Sequence, residues 1–392
     1  MISVDQAVSL IQKHLPDFGS QKLSGPQHDR VLAQDLRADR DYPPFDRVMM
    51  DGIAVSWNAY REGMRQFSLA GVCAAGSPQG KLTDLSTALE VMTGAPMPLG
   101  ADLVIPYEHV KIENGLAAVV LETERTAQEN VHLKGSDARQ GDVLLKSGAT
   151  LNGPHWGIAA SLGYHQPLVK RLPKIAIIST GDELVEIDAT PLDHQIRRSN
   201  AHALEASLRL HGHQDVTLFH INDAIVEIES HYQQHAPHFD LMIYSGGVSK
   251  GKFDFLPTVW KTSGVEEIFH GIKQRPGKPL WFGVDQKRQT AVMGLPGNPV
   301  SSLVCLHRYL LAQKPIYAQL TDEITFKKDM TYFVPVKLES TPEGVLRARP
   351  LPMQNSGEFS ALAESDGFLE LPAHQQVFSA NAAFVFHPWR KS

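Results

Sequence analysis

Residues 241–261 read LMIYSGGVSKGKFDFLPTVWK, and they constrain the fold more than any other stretch of the chain. The apolar run 241–244 has the length and composition of a buried strand. It stops at Ser245-Gly246-Gly247, where two glycines permit a tight turn. Ser249, Lys250, Lys252 and Asp254 follow, and a helix is expected from Phe255 onward. Backbone N–H groups at such a turn, and at the helix start behind it, point at an anion. The alternative for this stretch alone is an ordinary strand–turn–helix connection.

Two segments repeat the plan. KIAIIS (174–179) runs into Thr180-Gly181-Asp182-Glu183-Leu184, and TAVMG (290–294) runs into LPGNPVSS before a helix expected over 303–311. A further strand is expected over 216–221, ended by Asn222-Asp223, with a helix over 224–235. The segment IRRSNAHALEASLRL (196–210) reads as a helix with Ser199 or Asn200 as its N-cap. Alternating strands and helices predict a mainly parallel sheet covered on both faces, a three-layer α/β/α unit. Ligands of such sheets bind outside the carboxyl ends of the strands. The polar turns would then line one crevice, provided the strands are parallel neighbours.

The rest of the chain reads differently. Its 392 residues suggest two to four domains. A net charge of -6 without a basic block argues against duplex nucleic acid as a partner. Cys73 and Cys305 are too few for a disulfide framework, and Cys305 lies in an apolar helix pattern. The N-terminal segment lacks the pattern of a signal peptide and no run reaches ~18 apolar residues, so no membrane span and a cytoplasmic location are expected. Residues 2–15 carry apolar side chains at helical spacing. Residues 66–125 form a strand-rich module in which Thr93 is delivered to a Gly/Pro turn. Asp51 interrupts an apolar run, which is costly unless the charge is paired or faces a cleft. Residues 131–142 form a polar turn containing Asp137, 156–162 a short helix, and 167–173 a linker.

Lys273, Arg275 and Lys278 surround a Pro-Gly turn, and an extended chain would send Lys273 and Arg275 the same way. This is either an anion site or a solvated hairpin. His231 and His235 share a helix face, but their neighbours suggest a wet surface rather than a metal site. Glu108-His109 is equally weak as a metal pair. Beyond about residue 320 several short strand patterns predict a small C-terminal β domain.

The segments PPFDRVMMDGIAV (43–55), VMTGAPMPLGADLVI (91–105), STGDEL (179–184), SGGVSKGKFDF (245–255), RPGKP (275–279) and GLPGNPVSS (294–302) together resemble the molybdopterin molybdenumtransferase family. The resemblance implies a multidomain α/β and β chain. Residues 1–45 with 130–172 form a discontinuous domain around an inserted strand-rich domain, 46–129. The molybdopterin-binding α/β domain spans 173–318, and a C-terminal β domain spans 319–392. It implies a homodimer whose cleft joins the α/β domain of one subunit to the inserted region of the other.

The implied reaction inserts molybdate into adenylylated molybdopterin and releases AMP with the help of Mg2+ or another divalent cation. The adenylylating enzyme and recipient molybdoenzymes are implied as further partners. Carried over residue by residue, the catalytic set is Asp51, Thr93, Asp137, Glu183 and Asp254, and the cation set is Asp51, Asp223 and Asp254. The ligand-holding set is Ser245, Gly246, Gly247 and Ser249 at one turn, Lys273, Arg275 and Lys278 at another, with Pro299 and Ser356. Departures from the family pattern are Asn222 before Asp223, His109, Asn355, the spacing of Lys273 and Arg275, and Arg47-Val48. Two other readings fit the same fold: a non-catalytic scaffold, and a molybdopterin adenylyltransferase or nucleotide hydrolase. The joint presence of Asp51, Asp254 and the basic turn favours the transferase.

Overall fold

The computed structural model describes residues 1–27, 29–248, 255–311, 314–351 and 360–390. Ser249, Lys250, Lys252, Asp254, Asn355 and Ser356 lie outside the described residues. The chain folds as two compact units, Met1–Gly19 with Arg171–Ser392, and Ser20–Lys170.

The first unit is built on a six-stranded sheet. Its strands are β1 (Ile175–Thr180), β2 (Val216–Ile221), β3 (Leu241–Ser245), β4 (Glu266–His270), β5 (Trp281–Asp285) and β6 (Thr290–Leu295). Their order in space is β2-β1-β3-β6-β5-β4. The first four in that order are parallel, and β5 runs antiparallel to both β6 and β4. All six residues of β1 are buried, because helices cover both faces. Ile175 and Ile177 join the core formed with the helices Val4–His14, Ser199–Leu210 and Pro299–Tyr309. Ala176 and Ile178 face the opposite way, toward Tyr232 and Trp260 of the helices Ile225–His235 and Leu256–Thr262. This alternation is the period of two that a strand imposes.

The helix Val4–His14 begins with a capping box. The Ser3 hydroxyl accepts from the Gln6 N–H at 3.2 Å, and the Gln6 side chain accepts from the Ser3 N–H at 2.9 Å. Residues 1–19, grouped with 20–45 by the family resemblance, bury Val4, Ala7 and Ile11 in the α/β core.

The C-terminal strands close into a ring. Thr331–Ser340 pairs with Leu346–Pro350 and Gly367–Leu371, and Ile316–Leu320 pairs with Leu346–Pro350 and Ala383–Pro388. Ala383–Pro388 completes the circuit against Gly367–Leu371. The first ring strand starts at Ile316, slightly before the expected boundary at 319. Gln274–Arg275 pairs in parallel with Thr331 and Tyr332, which ties the basic turn to this β domain.

The second unit contains the strand-rich module. Its sheet runs Leu103–Pro106, Gly52–Val55, Thr87–Val91, Gln66–Cys73, Leu116–Val119, Val110–Glu113. Residues 167–173 are not a plain linker. Leu168–Lys170 is a strand pinned antiparallel to Ser20–Lys22. The helix expected over 156–162 spans Gly153–Ser161, with Asn152 as its side-chain cap. Among the described residues, no helix is long and apolar enough to cross a membrane.

Candidate functional site

Parallel pairing sets the geometry of the first unit's cleft. Ser179 stands level with His220 on one side and Ser245 on the other, and Ser245 stands level with Leu295. The turns after β1, β2, β3 and β6 therefore leave the sheet along one edge, as the sequence expects. A cleft of about 590 Å³ opens there. That volume suits a small-molecule ligand. Thr180, Glu183, Ser245, Gly246 and Pro299 all line it, so the turns of β1, β3 and β6 meet in one place.

The two glycine turns approach closely. Gly246 has φ +105°, and a Cβ there would fall 3.0 Å from both the carbonyl oxygen and the Oγ1 of Thr180. A Cβ on Gly297 would lie 3.7 Å from the Gly246 Cα. Only glycine tolerates both the dihedral and the approach at 246. The Gly246 N–H donates to the Leu295 carbonyl at 3.1 Å, which holds the β3 turn against the β6 turn.

Two features of the cleft are not anticipated by the sequence reading. Arg197 and Arg198 line its wall, with Glu183 as the one acid among its described lining residues. Arg198 also pairs with Glu186 at 2.6 Å. Arg197 is the lining cation with no acid paired to it among the described ion pairs, and a cation there suits an anionic ligand. The second feature is Asn200. The sequence reads Ser199 or Asn200 as a helix cap, but the cap position is Arg198 and no side chain caps the helix. Asn200 Nδ2 donates to Ser245 Oγ at 3.1 Å and to the Gly297 carbonyl at 2.7 Å. The basic pair directly before the helix was the sequence signal for this wall.

The acids around β2 are arranged by hydrogen bonds. The Asp223 N–H donates to Asp182 Oδ1 at 3.1 Å. The backbone N–H and side-chain amide of Asn222 both donate to Glu227, at 3.1 Å each. Asn222 is thereby committed to the helix that follows. His220 Nε2 lies 3.1 Å from the Gly181 carbonyl, which can only accept, so Nε2 carries a proton. Among the described residues, no group of three or more His, Cys, Asp or Glu is placed to hold a metal ion.

Asp51 and Thr93 come together in the second unit. Asp51 Oδ1 accepts from the Thr93 N–H at 2.6 Å and from its hydroxyl at 2.8 Å. These bonds, the backbone one foremost, hold the exposed carboxyl below its usual range. Gly52 beside it has no room for a side chain, since a Cβ would sit 2.1 Å from the Ile105 carbonyl oxygen. Close packing of Gly52 against Leu103–Pro106 fixes where Asp51 leaves the sheet.

Asp137 is held by a relay. Arg47 and His132 are cross-strand partners. An Arg47 NH2 group lies 2.9 Å from His132 Nδ1, and His132 Nε2 lies 2.7 Å from Asp137 Oδ1. A guanidinium can only donate, so Nδ1 accepts and Nε2 donates to Asp137. Arg47 therefore fixes the tautomer of His132.

The basic turn does not line the cleft; Lys273, Arg275 and Lys278 are absent from its wall. Lys273 and Lys278 are exposed and Arg275 half-buried, while Gln274 is fully buried. This is the alternation expected of extended chain. Gln274 anchors the turn. Its Nε2 donates to the Pro276 carbonyl at 2.9 Å, and its Oε1 accepts from the Tyr309 hydroxyl. Lys273 Nζ lies 3.4 Å from Asp329, an exposed pair of small energetic weight. Cys305 is buried as expected, and burial pushes its thiol up to about 12.

The histidine candidates are structural. His109 Nδ1 accepts from the buried Arg125 at 2.7 Å. His231 is not on a wet surface. Its two ring nitrogens are buried without partners among the described residues, and it packs against Phe219 and His235. Burial pulls the His231 imidazole down to about 4.

Comparison with known proteins extends the geometry. Residues 2–163 match the family profile described as MoeA N-terminal region (domain I and II). Residues 176–315 match the profile of a probable molybdopterin binding domain, and 317–389 match the MoeA C-terminal region (domain IV). A molybdopterin molybdenumtransferase of Synechocystis sp. is 54% identical over 390 residues, covering 99% of this chain and 100% of the relative. One from Bacillus subtilis is 31% identical, covering 88% and 83% respectively. The crystal structure of a molybdopterin biosynthesis MoeA protein from Pyrococcus horikosii superposes with TM-score 0.83 over the full length of both chains. At 24% identity that likeness speaks to fold alone.

Proposed function

The chain belongs to the MoeA family of molybdenum-cofactor biosynthesis, and from that premise we propose that it inserts molybdate into adenylylated molybdopterin with release of AMP. The observation that carries this reading is the cleft at the parallel strand ends. There a hydroxyl, a glycine turn and two arginines surround a space of about 590 Å³. A pterin nucleotide is polyanionic, and neutral and cationic donors must hold it. The Ser245 hydroxyl and the Gly246–Gly247 turn are proposed to seat phosphate oxygens, with Arg197 and Arg198 closing the wall. Pro299 at the helix start borders the same space.

Asp51, Thr93 and Asp137 are proposed to order the reacting groups. Thr93 holds the Asp51 carboxylate charged and fixed, and His132 aims Asp137. Preorganised charge of this kind lowers a barrier because it need not rearrange as the anhydride breaks. Carboxylate oxygens suit a hard cation, and Mg2+ is commonly held by one or two of them together with substrate oxygens and water. Asp223 and Asp254 of one subunit, with Asp51 from the inserted region of the other as the family resemblance implies, are the residues proposed to hold it. When bound it would polarise the phosphoanhydride.

The reading is tested by supplying adenylylated molybdopterin and molybdate and measuring AMP. Release that depends on molybdate supports the transferase. Consumption of ATP with molybdopterin in the absence of molybdate would point to the adenylyltransferase reading.

Two further expectations follow from the placement of the residues. The candidate side chains are divided between two compact units, and the family resemblance implies a homodimer. Sedimentation at micromolar concentration is expected to give twice the 43.3 kDa chain mass. A fully active monomer would contradict it. Separately, Lys278→Ala removes an exposed cation from the anchored Pro-Gly turn. Lys278 lies outside the cleft wall, so its contact with the ligand rests on the family resemblance; on that ground binding of the pterin nucleotide is expected to weaken by roughly 1.5–3 kcal/mol in calorimetry, the size of a lost charge-assisted bond. Unchanged affinity would make the turn a solvated hairpin.

A further inference from the structure

We infer that Asn200 is a positioning and specificity residue of the cleft, tying the Ser-Gly-Gly turn to the Pro-Gly-Asn turn and offering its side-chain carbonyl to an N–H or O–H donor of the ligand. The inference deepens the proposed pterin-nucleotide reading and rests on it for the identity of the ligand.

The amide orientation is fixed by chemistry. The Gly297 carbonyl can only accept, so the group facing it at 2.7 Å must be the NH2 of Asn200. Its second hydrogen goes to Ser245 Oγ at 3.1 Å. Both donors of the amide are then used, one on the Ser245 hydroxyl and one on the Gly297 carbonyl. Oδ1 has no partner among the described residues, and Asn200 lines the cleft. An acceptor left in this position suits a ligand N–H or O–H group and opposes a bare phosphate oxygen.

The same bonds set the role of Ser245. Its oxygen accepts from Asn200, so its own hydrogen remains to donate. One side chain thus arranges a donor for an anion and an acceptor for a neutral polar edge. A nucleotide or pterin carries both kinds of group. The bond to Gly297 also spans the point where Gly246 and Gly297 approach, so it reinforces the contact of the two turns.

The test uses the full chain with Asn200→Ala and Asn200→Asp. An acid in the first turn of a helix is favourable. Asn200→Asp is therefore expected to melt close to the parent temperature, which separates the role from bulk stability. Titrated with adenylylated molybdopterin near neutral pH, both variants are expected to bind roughly tenfold to a hundredfold more weakly, because a donor pair is lost and acceptors are left unpaired. Lowering the pH toward the carboxylate range should recover binding in Asn200→Asp alone, since a protonated acid can again donate to the Gly297 carbonyl. Without ligand, exchange of the Gly246 amide hydrogen is expected to accelerate in Asn200→Ala.

Parent-like binding by both variants would overturn the inference while leaving the pterin reading in place. Failure of the parent chain itself to bind the pterin would overturn that reading instead. The hydrogen exchange then still decides the tether, and an unchanged Gly246 rate in Asn200→Ala would refute it.

Discussion

Asp51→Asn is expected to stay folded and to bind the pterin nucleotide, yet to release AMP roughly 10²–10³ times more slowly, the loss typical of one preorganised electrostatic group. The substitution is discriminating because of how Asp51 is held. Its Oδ1 accepts two bonds from Thr93, and an asparagine Oδ1 can accept the same two. Only the charge is removed. Thr93 lowers the Asp51 pKa, so this carboxylate contributes stability above the ordinary carboxylate range. That contribution is lost as the pH falls through the lowered folded value. The asparagine variant should lack this small acid-side dependence and otherwise melt like the parent. Single-turnover AMP release and melting on the same preparations settle it. Near-normal turnover would remove Asp51 from the chemistry, and collapse of the melting temperature would make it structural.

The largest stability effect is expected at Glu370→Ala. Glu370 is gripped from both sides where the helix Pro299–Tyr309 meets the β domain. Arg308 Nε donates to Oε2 at 2.7 Å and an Arg308 NH2 group to Oε1 at 3.3 Å. His387 Nε2 lies 2.7 Å from the same Oε2. The Arg308 and Glu370 side chains are only 13% and 16% exposed, so solvent does little to screen the pair. Removing one member strands a buried charge, at a cost of about 3–5 kcal/mol. Burial alone would raise the Glu370 pKa, but the His387 bond and Arg308 outweigh it and the carboxyl lies below its usual range. Its contribution is therefore present above the ordinary glutamate pKa and lost as the pH falls through the depressed folded value. Urea unfolding should show the loss at neutral pH and less of it in acid. A cost under about 1 kcal/mol would class the cluster with exposed ion pairs.

The parts of the fold legible in the sequence are those dictated locally. β2 occupies the expected 216–221, and β1 is a continuous apolar run because it is buried on both faces. The polar turns are legible because glycine and hydroxyl residues follow those runs directly. What escaped was non-local. Asn200 has the composition of a cap, and its actual partners lie 45 and 97 residues away. Gln274–Arg275 joins a strand that begins at Thr331, and nothing in a basic Pro-Gly turn announces that pairing. Leu168–Lys170 looked like a linker because prolines flank it, and only its partner at 20–22 makes it a strand. At the candidate site, Asp51 and Thr93 stand 42 residues apart in sequence yet share two hydrogen bonds. The resemblance to the family brought them into one set, and the structure supplies the bonds. Arg47, a departure from the family pattern, acquires a role as the partner of His132.

The central claim is that one turnover couples molybdate insertion to loss of AMP. It is tested most directly by single-turnover reaction of the purified chain with adenylylated molybdopterin, molybdate and Mg2+, measuring AMP released and molybdenum bound to the pterin together. The expected result is one molybdenum per AMP, with neither product formed when molybdate is withheld. AMP released at the same rate without molybdate, or with no molybdenum on the pterin, would contradict the account and leave a nucleotide hydrolase.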